Sequence, residues 1–382
     1  MKPEKHLPSG WQSVRLADIG SFKSGSGFPL TVQGSASGDY PFFKVSDFNR
    51  EGNSYVLKTA NHYINKDVRR KIGARLFPDG TIVFAKIGAA IFLERKRLVS
   101  QESCLDNNMA GFILSDENFS RELILSNFQN FKLGDIVSST ALPAISSSDL
   151  KAICFDLPSD RKEQNAIAEA LSDADALIEG LEKLIAKKRL IKQGAMQELL
   201  TGKRRLPGFS GDWKNKAIGS CLCIRHGKSQ HEVAVADGPY PILATGGQIG
   251  TAQKPLYDKP SVLIGRKGTI DRPQYVEKPF WTVDTLFYSE LIKGNIAKFF
   301  FYRFLLIDWY KFNEASGVPS LNARTIESIE LSVPEPNEQR AIASILSDMD
   351  SEIFSYEAKL SKARQIKQGM MQELLTGRIR LV

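Results

Sequence analysis

The stretch Ile191-Lys-Gln-Gly-Ala-Met-Gln-Glu-Leu-Leu-Thr-Gly202 is written a second time, with one change, as Ile366-Lys-Gln-Gly-Met-Met-Gln-Glu-Leu-Leu-Thr-Gly377. Working back from it, Glu163-Gln164 returns as Glu338-Gln339, Ala166-Ile167-Ala168 as Ala341-Ile342-Ala343, and Leu171-Ser172-Asp173 as Leu346-Ser347-Asp348. The copies stand 175 residues apart throughout, with no insertion or deletion between Glu163 and Gly202. Self-similarity at a fixed period marks a duplicated structural unit. Fainter matches continue outside this block. Gly10-Trp11 pairs with Asp212-Trp213, Tyr40-Pro41 with Tyr240-Pro241, and Leu142-Pro143-Ala144-Ile145 with Val318-Pro319-Ser320-Leu321. There the offset wanders from about 202 down to 176, so length changes collect in these segments. The chain is one unit written twice, a variable region followed by a nearly fixed one.

The fixed region reads as a helix. No proline interrupts 163–201, and helix formers dominate. Asp160 with Glu163 makes a capping start, and Gly202 and Gly377 stand where C-terminal stops belong. About 39 residues at 1.5 Å each give a rod of about 60 Å. Ile342, Met349, Tyr356, Ala363 and Met370 fall seven apart, with Leu346, Ile353, Leu360 and Leu374 between them. The first copy supplies Ile167, Ala174, Leu181 and Ala195 with Leu171, Ile178, Ile185 and Leu199. This is a coiled-coil seam, and two rods of matched register pack most simply on each other, antiparallel. Lys192 and Lys367 break the seam at equivalent places, each followed two residues later by Gly194 or Gly369. Those glycines suggest a close helix crossing or a docking notch, with a tolerated kink as the alternative. The candidate docking and scaffold residues are therefore Lys192, Gln193, Gly194, Lys367, Gln368 and Gly369.

The variable segments read as α+β globules. Apolar runs such as Thr81-Ile-Val-Phe and Ser261-Val-Leu-Ile alternate with Gly- and Ser-rich turns, and Arg121–Phe131 and Asn295–Tyr310 read as short helices. Four regions result: 1–157, a helix within 158–206, 207–333, and a second helix within 334–382. The expected architecture is two α/β domains joined by two long helices, with a pseudo-two-fold internal repeat.

Composition limits the function. The chain has 382 residues, with 51 Lys and Arg against 43 Asp and Glu, a formal net charge of +8. Hydrophobic residues at 42% and charged residues at 25% exclude wholesale disorder. The basic excess fits a polyanion partner, although a solvated lysine-rich surface gives the same number. No segment approaches the roughly 20 apolar residues of a membrane span, and Met1-Lys-Pro-Glu-Lys-His opens no secretory leader. Four cysteines make no disulfide framework, which favours a reducing cytoplasm.

Catalytic signatures fail one by one. Gly227-Lys228-Ser229 ends like a phosphate-binding loop, but Leu222 stands where its first glycine belongs. Pro78-Asp79 with Lys86 lacks the second carboxylate of a nuclease metal site. Cys221-x-Cys223 with His226 and His231 matches no common zinc spacing. Dinucleotide, hydrolase and amino-methyltransferase motifs are absent from the sequence. What remains is a set of basic and small polar residues, recurring in both variable segments. The first holds Lys23, Ser24, Lys44, Ser46, Lys86, Asn107 and Asn108; the second holds Arg225, Lys228, Thr245, Gln248, Arg266, Lys267, Thr269 and Arg272. Lys and Arg meet phosphates, Asn, Gln and Arg read base edges, and interspersed glycines let backbone approach closely. These are the candidate DNA-binding residues.

The repeated Glu-Gln-x-Ala-Ile-Ala and Lys-Gln-Gly-x-Met-Gln-Glu-Leu-Leu-Thr-Gly blocks resemble the specificity subunits of type I restriction–modification systems. Leu7-Pro8-Ser9-Gly10-Trp11 and Gly208-Phe209-Ser210-Gly211-Asp212-Trp213 resemble that family's domain starts, so the likeness runs the whole chain. The resemblance implies two target recognition domains, each reading half of a bipartite site on double-stranded DNA, with helices that set the spacing. It implies docking of two modification subunits that methylate adenine, and restriction subunits that complete an ATP-dependent nuclease. S-adenosylmethionine, ATP and magnesium would then sit on those partners, leaving this chain non-catalytic and without a cofactor. Contact residues do not transfer, because recognition domains diverge. The competing reading is a coiled-coil adaptor whose globules bind proteins.

Overall fold

The computed structural model describes residues 7–137 and 142–381. The 1–6 stretch, on which the leader reading rests, lies outside the described residues. The chain divides into two compact units, 1–182 with 358–382 and 183–357. Each unit holds one variable domain and half of each long helix.

The repeat forms helices over Arg161–Leu199 and Pro336–Leu374, 39 residues each. The first starts where the Asp160 carboxylate accepts the Lys162 amide at 2.9 Å. Gly202 and Gly377, with φ of +73° and +68°, take the left-handed conformation that closes a helix. Of the expected seam, Leu171, Ile178, Ile185, Leu199, Leu346, Ile353 and Leu374 are buried, and none of the remainder is exposed. Within each unit the helix halves run antiparallel. In the first, Glu163 pairs with Arg380, Asp175 with Lys367 and Glu182 with Arg364. In the second, Arg189 pairs with Glu357, Lys192 with Asp350 and Arg205 with Glu338.

The duplicated Glu-Gln dipeptide fastens each variable domain to its helices. Glu338, nearly fully buried, takes a two-pronged bond from Arg205 at 2.7 and 2.8 Å, and the Trp213 indole N–H at 3.2 Å. Glu163 is held the same way by Arg380, which also reaches the Ser9 carbonyl at 2.8 Å. Gln164 accepts the Ser120 amide at 2.8 Å and donates to the Pro158 carbonyl at 2.9 Å. Gln339 repeats this with Ile296 and Pro334, both at 3.0 Å. Ser120 and Ile296 cap the short helices Arg121–Asn130 and Ala297–Phe304. The second of these ends well before the expected Tyr310, and its chain resumes as a 3-10 turn at Trp309–Phe312.

Each variable domain carries two multi-stranded sheets and one antiparallel strand pair, Trp11–Arg15 with Cys154–Pro158 in the first and Lys214–Ala217 with Glu330–Val333 in the second. In the first unit one sheet orders Gly20–Ser24, Met109–Leu114, Ile82–Ala85, Lys96–Val99 and Val56–Leu57; the other orders Tyr63–Ile64, Tyr40–Phe43 and Cys104–Leu105. In the second unit the sheets are Leu222–His226, Leu286–Leu291, Ser261–Gly265, Gln274–Val276 and Ala234–Val235, Gly247–Ala252, Tyr240–Ala244, Trp281–Thr282. The shared order of the first three strands is the duplication seen in three dimensions. A parallel pair also recurs, Phe42 beside Cys104 and Ile242 beside Trp281. The principal core of each unit joins the sheet that begins with Gly20–Ser24 or Leu222–His226 to the long helices, through Ile167, Leu171 and Leu374 in one and Leu199, Ile342 and Leu346 in the other.

Candidate nucleic-acid interface

In the first unit, five loops meet at one end of the larger sheet. The strand Gly20–Ser24 runs into Gly25, where a Cβ would lie 1.9 Å from the Asp106 carbonyl oxygen, so only glycine passes. Lys86 donates its ammonium to the Ser24 hydroxyl at 2.8 Å and its amide to the Asn108 carbonyl at 2.8 Å. Asn108 donates its amide to the Asp106 carboxylate at 3.0 Å, and Asp106 its amide to Phe43 at 2.9 Å. Lys44 follows Phe43 and donates to the Gln33 side chain at 3.2 Å. The Gly88 amide reaches the Pro143 carbonyl at 2.7 Å, and the Ile145 amide the Lys86 carbonyl at 3.0 Å. Ser24, Lys44, Lys86 and Asn108 are thus joined in one network, with Lys23 and Asn107 exposed beside them. Ser46 is exposed, and no hydrogen bond ties its side chain to this network among the described residues.

The second unit repeats the construction. A Cβ on Gly227 would lie 2.0 Å from the Val283 carbonyl oxygen. The Arg266 amide reaches the Thr285 carbonyl at 2.8 Å, Gly268 the Pro319 carbonyl at 2.9 Å, and Leu321 the Arg266 carbonyl at 2.9 Å. Val283 donates its amide to Leu243 at 3.1 Å, which places Thr245 and Gln248 on the adjoining turn. Lys86-Ile87-Gly88 therefore corresponds to Arg266-Lys267-Gly268, and Asp106-Asn107-Asn108 to Val283-Asp284-Thr285. Lys228, Gln248, Lys267 and Arg272 are exposed, and Thr245 and Thr269 half-buried. Arg225 is drawn into an ion pair with Glu290 at 2.8 Å, so its charge is partly spent inside the domain.

Sequence reading missed four members of these platforms. Arg75 donates to the Ser24 carbonyl at 2.8 Å. Asp284 and Thr285 stand where Asn107 and Asn108 do. Asp106 was also missed, a buried carboxylate within the first network. Desolvation pushes its carboxyl above the usual range, against the Asn108 hydrogen bond and the nearby Lys44 charge. An acid with a raised folded pKa binds more protons folded than unfolded, so it costs stability as pH rises through that range. Asp106→Asn is therefore expected to raise the denaturant midpoint at pH 7, with the gain fading towards pH 4. It should also tighten DNA binding about threefold by removing a negative charge beside Lys86 and Lys44. Unfolding at the two pH values and a binding titration check both.

The repeated helix block divides into an inner and an outer face. Lys192 lies on the inner face, ion-paired with Asp350 and 5.3 Å from the Tyr302 ring, whose hydroxyl donates to Asp350 at 2.7 Å. Lys367 pairs with Asp175 and lies 5.7 Å from the ring of Tyr55, which hydrogen-bonds Asp175 in turn. Burial pushes both phenols well above their ordinary value, so they remain neutral donors. The two lysines fill their seam positions as ion pairs. The expected close crossing at Gly194 and Gly369 is not formed: a Cβ on either would meet no atom within 4 Å, and both helices run through unbroken. Gln193 and Gln368 are exposed. So are Ile191 and Ile366, at 47% and 52%.

Among the described residues no group of three or more His, Cys, Asp or Glu is placed to hold a metal ion, and no helix is long and apolar enough to cross a membrane. Cys221 is buried, Cys223 half-buried, and all four cysteines are free.

A duplicated α+β domain with two long helices is the arrangement of a known family. The chain matches the model of the type I restriction modification DNA specificity domain twice, over residues 8–188 and 210–363, and it belongs to that family. It is a specificity subunit of a type I restriction–modification system, the non-catalytic DNA-recognition component. Similar proteins include the type I restriction enzyme MjaIX specificity subunit of Methanocaldococcus jannaschii, 21% identical over 98% of this chain and 95% of that one. The MjaVIII specificity subunit of the same organism is 23% identical over 98% and 94%. In fold the chain resembles the type I S subunit of M. genitalium, with a TM-score of 0.67 at 19% identity, covering 98% of this chain and 99% of that one.

Proposed function

We propose that each variable domain reads one half of a bipartite, gapped site on double-stranded DNA through its loop platform. The observation that carries this reading is the same five-loop construction in both units, presenting Lys86 in one and Arg266 with Lys267 in the other. One scaffold with different loop residues suits two half-sites of different sequence, and the helices between the domains suit a ruler for the gap. About 60 Å of helix spans roughly 17 base pairs, ample for half-sites one DNA turn apart.

The partners follow from the outer helix face. Ile191, Gly194, Gln197 and Thr201 lie along one face and are identical to Ile366, Gly369, Gln372 and Thr376. Internal packing does not explain identity at exposed positions, whereas docking two copies of one subunit does. We assign this face to two adenine-methylating modification subunits. S-adenosylmethionine belongs to them, and ATP and magnesium to any restriction subunits that join, in the cytoplasm. Of the S-subunit structures this fold resembles, one at a TM-score of 0.54 and 14% identity comes from work on assembly and conformational transition of a type I system.

The test is to reconstitute the chain with its modification subunit and map methylated adenines on random-sequence DNA. A single gapped motif is expected, with affinity that falls steeply with salt. No gapped motif, together with binding that DNA does not compete, would leave the protein-binding adaptor as the better reading. Lengthening both helices by matched insertions should change the gap and leave the bases unchanged; changed bases at a constant gap would refute the ruler.

A further inference from the structure

Two large apolar side chains stand exposed at one equivalent point of the two platforms. Leu142 is 63% exposed and Val318 is 66% exposed, each directly before the proline whose carbonyl accepts the Gly88 or Gly268 amide. Lone exposed apolar residues are ordinary on protein surfaces. This pair differs in three ways. They occupy the same place in two domains whose loops otherwise diverge. The residues that follow are pinned, Ala144 bridged to Ile87 and Ser320 to Lys267, so the apolar side chains are held on fixed backbone. Finally, each sits at the loop that carries Lys86 or Arg266 and Lys267, among the polar residues assigned above to DNA.

An apolar group held among cations gains nothing from phosphate, which those cations attract. It gains from the apolar part of a base edge, chiefly the C5-methyl group of thymine in the major groove. We propose that Leu142 and Val318 are specificity-determining residues, each making an apolar contact with a base edge in its own half-site. This rests on the reading that the platforms bind DNA. Neither residue forms part of the hydrogen-bonded networks, so removing either side chain leaves the platform standing.

The experiment uses the full chain reconstituted with its modification subunit, as wild type, Leu142→Ala and Val318→Ala. Methylated sites are mapped on a randomised library, and binding is measured to the preferred duplex and to unrelated duplex. The expected result is relaxed preference at one base position, in one half-site for Leu142→Ala and in the other for Val318→Ala. Affinity for the preferred duplex should fall about five- to tenfold, with unrelated duplex unchanged. Where the lost base is thymine, replacing it by deoxyuridine should weaken wild type and leave the alanine variant unaffected. An unchanged motif in both variants overturns the proposal, as does an equal loss on all DNA. Loss of assembly with the modification subunit, at unchanged DNA preference, would make these residues a protein contact instead. Because the wild-type complex must first show its gapped motif, failure of the DNA reading is seen separately from failure of this inference.

Discussion

Alanine at Gly25 or Gly227 is expected to weaken binding to the gapped site by about 30- to 150-fold. A Cβ at these positions lies 1.9 and 2.0 Å from carbonyl oxygens of Asp106 and Val283, well inside contact distance. The obstructing carbonyl oxygens are backbone, and Asp106 and Val283 themselves donate amide hydrogen bonds to the Phe43 and Leu243 carbonyls at 2.9 and 3.1 Å. The strand end cannot move aside without breaking those links. Overpacking of this kind costs about 2–3 kcal/mol, which as lost affinity is the range given. The displaced residues include Ser24, the partner of Lys86, and Lys228, so the damage falls on the platform itself. Equilibrium binding by the reconstituted complex measures it. Gly27→Ala and Gly246→Ala are the controls, because a Cβ there meets nothing within 4 Å. Wild-type affinity in both Gly25→Ala and Gly227→Ala would show that the platforms are not where DNA is held.

The second large effect concerns stability. Phe128 is fully buried at the centre of an aromatic group, with ring centroids 5.2 Å from Phe155, 5.7 Å from Phe112, 5.8 Å from Phe84 and 6.3 Å from Phe22. Phe128→Ala removes the shared partner of four rings and leaves a cavity, at about 3–5 kcal/mol. Urea unfolding should show the first unit melting at much lower denaturant. Phe354→Ala, at a side chain 72% exposed, should stay within about 0.5 kcal/mol of wild type. Equal effects from the two substitutions would contradict the burial described here.

The parts legible in the sequence were those governed by local periodicity. The long helices, expected over 163–201, lie at Arg161–Leu199 and its copy, because a heptad stripe and a terminal glycine are written within the segment they describe. The platforms were legible only as residue types. Lys86 and Arg266 could be singled out as cations near glycine, but their equivalence could not. The loops between matched strands differ in length, so the offset between copies drifts and hides which residue answers to which. Pro143 and Pro319 carried the usable signal, since each supplies a carbonyl to its glycine loop. Asp106 and Arg75 were missed because their importance comes from burial and from pairing with distant backbone. The helix glycines left a close crossing, a docking notch and a tolerated kink open in the sequence; the crossing is not formed, since a Cβ at either meets no atom within 4 Å.

Each compact unit takes half of each helix, and this has a consequence for the order of synthesis. The unit 183–357 is continuous and has all its residues once Glu357 has been added. The unit begun by the first domain still lacks 358–382 at that moment, and with them Met371, Leu374 and Leu375 of its own core. At about 5–20 residues per second, roughly one to five seconds of translation separate that moment from the addition of Val382. During that interval the domain made first waits with Ile167 and Leu171 lacking their cover. A chain cut short just after Glu357 would therefore hold every residue of one unit and lack part of the other's core.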